Sequence, residues 1–167
     1  MLIFDASTLI LIARIEILEP FLAGIATEVA IPKAVEKECC GAKKTLDALM
    51  IQKAVKESKI TVLNVKNRGL VTKLQSDFGL GKGEAEAIAA AHGENAPVIA
   101  IDDKNGINAC KLLGIAFVSA AGILIRSCEN GLISRVEALA KLALLARYGR
   151  YKSSILKDVR VRLEACK

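Results

Sequence analysis

Pro97-Val98-Ile99-Ala100-Ile101-Asp102-Asp103 is the stretch on which the fold turns: five apolar residues without a polar break, ending abruptly in two acids. A strand exposed on one face alternates apolar and polar side chains, whereas a continuous run suits a strand covered on both faces, as in parallel sheets. Leu2-Ile3-Phe4 before Asp5, Val29-Ala30-Ile31 before Pro32, and Ile115 to Val118 are shorter runs of the same kind, and Ile60 to Val65 alternates like a strand. Helical recurrence fills the intervals. Thr8 to Glu19 carries Leu9, Ile12 and Ile15 on one face and is interrupted at Pro20. Pro32 suits the first turn of a helix that carries Val35 and Glu38 and stops near Gly41. Lys43 to Ser58 and Leu70 to Phe78 follow, then Glu84 to His92 after a loop of Gly79, Gly81 and Gly83. Gly106 to Leu113 has Gly114 where a C-cap belongs. Ala121 to Cys128, Leu132 to Ala146 and Ser153 to Cys166 complete the series. This alternation predicts an α/β fold, a three-layer α/β/α sandwich with a mostly parallel central sheet. Residues 1–167 read as a single domain with a helical, basic C-terminal segment at about 147–167.

Composition narrows the function classes. The 167 residues are 53% hydrophobic but only 4% aromatic, with no Trp, so the core is aliphatic. Net charge is +6, which favours an anionic partner such as nucleic acid or an acidic protein segment. The longest uncharged stretch, Leu112 to Ile125, falls short of the roughly 18–20 residues a membrane span needs. The N-terminus lacks a basic leader region and carries Asp5 within its apolar run, so it is a poor signal peptide. Cys39, Cys40, Cys110, Cys128 and Cys166 form no C-x-x-C pair and read as reduced thiols of a cytoplasmic protein. His92 is the single histidine, which leaves triads and His-based metal ligation little to build on. The glycines at 79, 81 and 83 match neither phosphate-binding loop pattern.

The informative residues are acids where a core disfavours them. Asp5 and the pair Asp102-Asp103 each end an apolar strand. One reading is helix capping, which Asp favours. The other is a site: in open parallel sheets, ligands bind at the carboxyl ends of strands where the strand order reverses. Glu84 and Glu86 open a helix after the glycine loop, and Glu38 lies late in another helix after a short strand. Converging carboxylates without His or Cys describe oxygen ligation of a hard cation, which suits Mg²⁺ or Mn²⁺.

Four segments in order also resemble the signature of the PIN domain, a nuclease fold that includes toxins of VapC-type toxin–antitoxin pairs. They are Ile3-Phe4-Asp5-Ala6-Ser7-Thr8-Leu9, Pro32-Lys33-Ala34-Val35-Glu36-Lys37-Glu38, Gly81-Lys82-Gly83-Glu84-Ala85-Glu86-Ala87-Ile88 and Ile99-Ala100-Ile101-Asp102-Asp103. Ser119 to Gly131, with Gly122 and Gly131 around an apolar helix, is similar to a mainly prokaryotic branch. The resemblance implies a metal-dependent endoribonuclease with Asp5, Glu38, Glu84 and Asp103 as the site acids and Asp102, Glu86 and Ser7 in support. Either of Asp102 and Asp103 is a candidate direct ligand. Ile101 departs from the pattern, since many relatives carry Thr or Ser there. The resemblance further implies an RNA substrate, an antitoxin partner and a homodimer.

Phosphodiester hydrolysis needs an activated water and a counter-charge for the transition state, and a divalent ion supplies both. Asp5 and Asp103 are expected as principal ligands, Glu84 as ligand or water-positioning base, and Glu38 as a direct or water-mediated ligand; Ser7 orients Asp5. Glu86, about 200° around the helix from Glu84, has the ordinary alternative of a solvated first-turn acid. From Arg147 onward seven bases face two acids, and Tyr148 and Tyr151 lie among them. Arg147, Arg150, Tyr151 and Lys152 are therefore candidate RNA contacts, against the plainer reading of a solvated face with packed tyrosines. Two other functions compete: a non-catalytic RNA- or protein-binding module on the same fold, and an aspartate-based phosphohydrolase, for which Asp5-Ala6-Ser7-Thr8 lacks the second acid.

Overall fold

A computed structural model describes residues 1–41, 44–93 and 98–166. The expected helix start at Lys43, the strand start at Pro97 and the terminal base Lys167 lie outside the described residues. In chain order the elements are β1 (Leu2–Phe4), α1 (Ala6–Arg14), α2 (Leu18–Gly24), β2 (Val29–Pro32), α3 (Lys33–Cys40), α4 (Leu46–Lys56) and β3 (Thr61–Leu63). Then come α5 (Arg68–Phe78), α6 (Lys82–Gly93), β4 (Val98–Ala100), α7 (Lys104–Leu113), β5 (Phe117–Val118), α8 (Ala120–Glu129), α9 (Arg135–Tyr148) and α10 (Ser153–Glu164).

The sheet is parallel throughout, in the order β3-β2-β1-β4-β5. The chain builds outward from β1 to β3, then returns to the other side of β1. The order therefore reverses between β1 and β4, and this crevice opens at their carboxyl ends. Parallel strands are joined by right-handed crossovers as a rule, which places the helices of the two halves on opposite faces. In line with that, α6 packs with α5 and α7 and α1 with α4, α8 and α9, while α3 packs on both α1 and α6. The α/β/α sandwich is thus the observed architecture. Leu2, Ile3 and Phe4 are buried on both faces, which is why the strand run shows no alternation. The core is aliphatic: Ile3, Leu9, Ile12, Ile31, Ile88 and Ile99 have no exposed surface. Ala85, Ala87, Ala89, Ala90 and Ala91 are also buried, and their small side chains let α6 lie close on β1, β2 and β4.

Three expected boundaries shift for local reasons. The first helix ends at Arg14, and Pro20 sits inside the first turn of α2, where its missing N–H is no loss. Pro32 is not the first helical residue but the end of β2 and the N-cap of α3; its φ of −65° with ψ 157° is extended backbone. The helix expected from Leu132 begins at Arg135, because Ser134 and Glu137 form a capping box. Gly114 caps α7 with φ 68°, a conformation other residues disfavour.

Candidate functional site

Asp5 follows β1 directly, and its amide continues the ladder to the carbonyl of Ala100 at 3.0 Å. The Phe4–Ala100 register then sets Asp5 beside the segment that carries Asp102 and Asp103. Asp5 has no exposed surface. One carboxylate oxygen accepts from the Thr8 amide at 2.9 Å, which makes Asp5 the N-cap of α1, and the other accepts from the Ser7 hydroxyl at 2.5 Å. Burial nevertheless pushes the carboxyl up to about 6 against these hydrogen bonds, with repulsion from Asp102 adding to the rise.

Asp102 is half-buried and fully hydrogen-bonded. Its Oδ2 accepts from Thr8 Oγ1 at 3.0 Å and from the Ala120 amide at 2.9 Å, and its Oδ1 accepts from the Tyr151 hydroxyl. Ile101 has no hydroxyl to offer, so polar support for this acid comes from α1, the start of α8 and the segment after α9. Asp103 is the N-cap of α7, taking the Asn105 and Gly106 amides at 2.8 and 2.9 Å on the same oxygen, Oδ1. Its other oxygen makes no hydrogen bond among the described residues.

Glu84 lies in the first turn of α6 and turns back onto the Gly81 amide at 2.9 Å. Its carboxyl is raised by burial first, then by the neighbouring charges of Asp103 and Glu38. Glu38 reaches α6 from α3: its Oε1 accepts from the Gly83 amide at 3.0 Å. A Cβ at position 83 would stand 2.5 Å from that oxygen, so only glycine admits the approach. Gly83 is therefore not merely loop; it is a helical residue that makes room for an acid. Glu86 points elsewhere. It is 3% exposed, paired with Arg68 at 2.7 Å and bonded to the Ala34 amide at 3.2 Å. It ties α6 to α3 and α5 rather than joining Glu84, and it is not a solvated acid either.

A cleft of about 580 Å³ opens over these groups. Ser7, Glu84, Asp102 and Asp103 line its acidic wall, and Arg14, Lys104, Arg150, Tyr148 and Gly149 its rim. Asp5 lies beneath Ser7 rather than on the wall. Of the expected nucleic-acid contacts, Arg150 lines the cleft, exposed Arg147 sits over the Tyr148 ring at 5.5 Å, and exposed Lys152 precedes α10. Tyr151 faces inward onto Asp102. Sequence reasoning missed Arg14, Lys104 and Thr8; only Thr8, three residues after Asp5, carried a local signal, as a hydroxyl in a helix's first turn.

The donor chemistry suits a hard cation. Among the described residues, none of Asp5, Glu84, Asp102 and Asp103 makes an ion pair, although Asp5 and Asp102 repel each other, as do Glu84 and Asp103. Buried like charges without a counter-charge favour any ion that supplies one. The same side chains are not closed around a common point: among the described residues, no group of three or more His, Cys, Asp or Glu is arranged to hold a metal ion. The cause is visible in each carboxylate, which is turned onto amides at a helix start. Two of the candidate site acids, Asp5 and Asp103, are thus also helix N-caps.

The family model DUF3368, described as a PIN domain, matches residues 1–164, and the chain belongs to this family, whose fold is that of nucleases. Comparison with curated proteins and with solved structures gave no match.

Proposed function

We propose that the chain is a Mg²⁺- or Mn²⁺-dependent endoribonuclease, the toxin of a toxin–antitoxin pair. The observation that carries this reading is the crevice between β1 and β4, where Asp5, Asp102 and Asp103 stand side by side, with Glu84 beside Asp103, and no ion pair among the described residues neutralises them. Asp103, through its second oxygen, Asp102, Asp5 and Glu84 would hold the ion, with Glu38 approaching over Gly83. A bound divalent ion supplies an activated water and a counter-charge for the phosphate. The chain itself does the rest. Ser7 holds Asp5 in place, Glu84, whose carboxyl burial raises, would position or deprotonate the water, and Arg14, Lys104 and Arg150 draw the RNA backbone to the rim.

The antitoxin and a homodimer follow from the family resemblance, and exposed Val136, Ile155 and Val161 on α9 and α10 offer apolar surface for either. A cytoplasmic location is supported by five free cysteines, and no described helix is long and apolar enough to cross a membrane. We read the chain as one domain whose basic C-terminal segment starts at the cleft, through Tyr148, Gly149 and Arg150.

RNA incubated with Mn²⁺ or Mg²⁺ tests the reading. Cleavage is expected, with loss in EDTA and a drop of at least about 100-fold in Asp103→Asn. Turnover that survives EDTA, or that survives Asp5→Asn together with Asp103→Asn, overturns it. The helix-capping posture of Asp5 and Asp103 favours a second reading, a non-catalytic RNA-binding module. Tight RNA binding without cleavage in any divalent metal would select it.

A further inference from the structure

Tyr148 and Tyr151 are three residues apart, yet the structure divides them. Tyr148 is exposed on the rim of the cleft, whereas Tyr151 is half-buried with its hydroxyl between two groups. That hydroxyl donates to Asp102 Oδ1 and accepts from the Ala121 amide at 3.3 Å. The geometry around Asp102 explains what the donation does. Thr8 Oγ1 and the Ala120 amide both fall on Oδ2, which anchors one oxygen and leaves the carboxylate free to pivot about it. Tyr151 on Oδ1 removes that freedom. Gly149 allows the placement, because a Cβ there would stand 2.7 Å from the Tyr151 ring and 2.8 Å from the Leu145 carbonyl.

We propose that Tyr151 is a positioning residue of the carboxylate cleft: delivered by the segment after α9, it holds Asp102 so that an incoming divalent cation meets a preset acid. This rests on the reading that the cleft takes such a cation. Groups that orient a ligand carboxylate commonly alter metal affinity 10- to 100-fold when removed. A purely structural role is the alternative, since Asp102, Tyr151 and Ser119 together satisfy the first three amides of α8. The two roles differ in what metal binding reports.

Titration calorimetry of the full chain with Mn²⁺ alone separates them. Tyr151→Phe is expected to weaken Mn²⁺ binding about tenfold while the thermal midpoint moves little, and Gly149→Ala, which keeps the hydroxyl but displaces it, is expected to act in the same direction. In an Asp102→Asn background, Tyr151→Phe should produce no further loss, as expected if one residue acts through the other. Wild-type Mn²⁺ affinity in Tyr151→Phe, or a further tenfold loss in the Asp102→Asn background, overturns the proposal. A second measurement needs no folded variant at position 151. The chain has two tyrosines, so fluorotyrosine labelling gives two fluorine resonances, assigned with Tyr148→Phe. Mg²⁺ should shift the Tyr151 resonance saturably; an unmoved resonance in protein that binds the ion refutes the role. Failure of the unaltered chain to bind Mn²⁺ refutes the metal reading and the proposal with it, whereas equal affinity in the two proteins refutes the tyrosine's role alone.

Discussion

A carboxylate without accessible surface, held by one hydroxyl and one amide, sets the terms at Asp5. Burial raises its folded-state value from 3.8 to about 6, so folding disfavours the charged form. In the absence of metal its contribution to stability is fully present below about pH 4, falls as pH rises through 6, and is lost above that. A shift of this size corresponds to roughly 3 kcal/mol at neutral pH. Asp5→Asn keeps an acceptor for the Thr8 amide and removes the charge. Urea unfolding of the metal-free variant at pH 8 should show a gain on the order of 1–3 kcal/mol, together with lost cleavage. A variant that is less stable and still active would contradict the assignment. The oddity of Asp5 was readable from its neighbours, since an acid closing an apolar strand needs compensation; its burial beneath Ser7 was not.

At the scale of elements, α6 separates two acids that the sequence presents as a pair. Glu84 turns toward the cleft, and Glu86 is buried between α3 and α5 with Arg68 as its counter-charge. Removing Arg68 leaves a buried carboxylate with a single amide donor. Arg68→Ala is therefore expected to destabilise the fold by about 1–3 kcal/mol, the range for a lost hydrogen bond to a charged group. Its guanidinium side is largely exposed, which argues for the lower half. Mn²⁺ affinity should stay within twofold. Thermal melts and calorimetry check both halves; a large loss of metal binding would return Glu86 to the site. Periodicity places Glu86 on a different face from Glu84, but nothing local says whether that face meets solvent or Arg68, 18 residues upstream. The glycine loop misled for a related reason: Gly83 is a helical residue whose missing side chain makes room for Glu38, which arrives from 45 residues away.

Across the whole molecule, the sequence carries an excess of six positive charges, and Arg14, Lys104 and Arg150 line a cleft whose wall is acidic. Bases on the rim attract a polyanion, while the wall repels it until a cation intervenes. Each base that meets a phosphate of single-stranded RNA contributes about 0.7 to the slope of log affinity against log salt. With Asp103→Asn to prevent cleavage, Arg150→Ala and Lys104→Ala should each reduce that slope by about this amount in fluorescence anisotropy. Unchanged slopes would move the RNA path off this rim. The alternation of strands and helices, the aliphatic core and the acids at strand ends were all determined by the sequence itself. Strands buried on both faces must be written as unbroken apolar runs, and the first polar residue after a run lies at the sheet's edge. Tertiary structure alone decided that β1 and β4 are neighbours, that Asp102 is held by Tyr151, and that Glu86 answers to Arg68. Those outcomes depend on contacts between segments many residues apart, where packing of whole elements chooses the partner and no local pattern of residues encodes it.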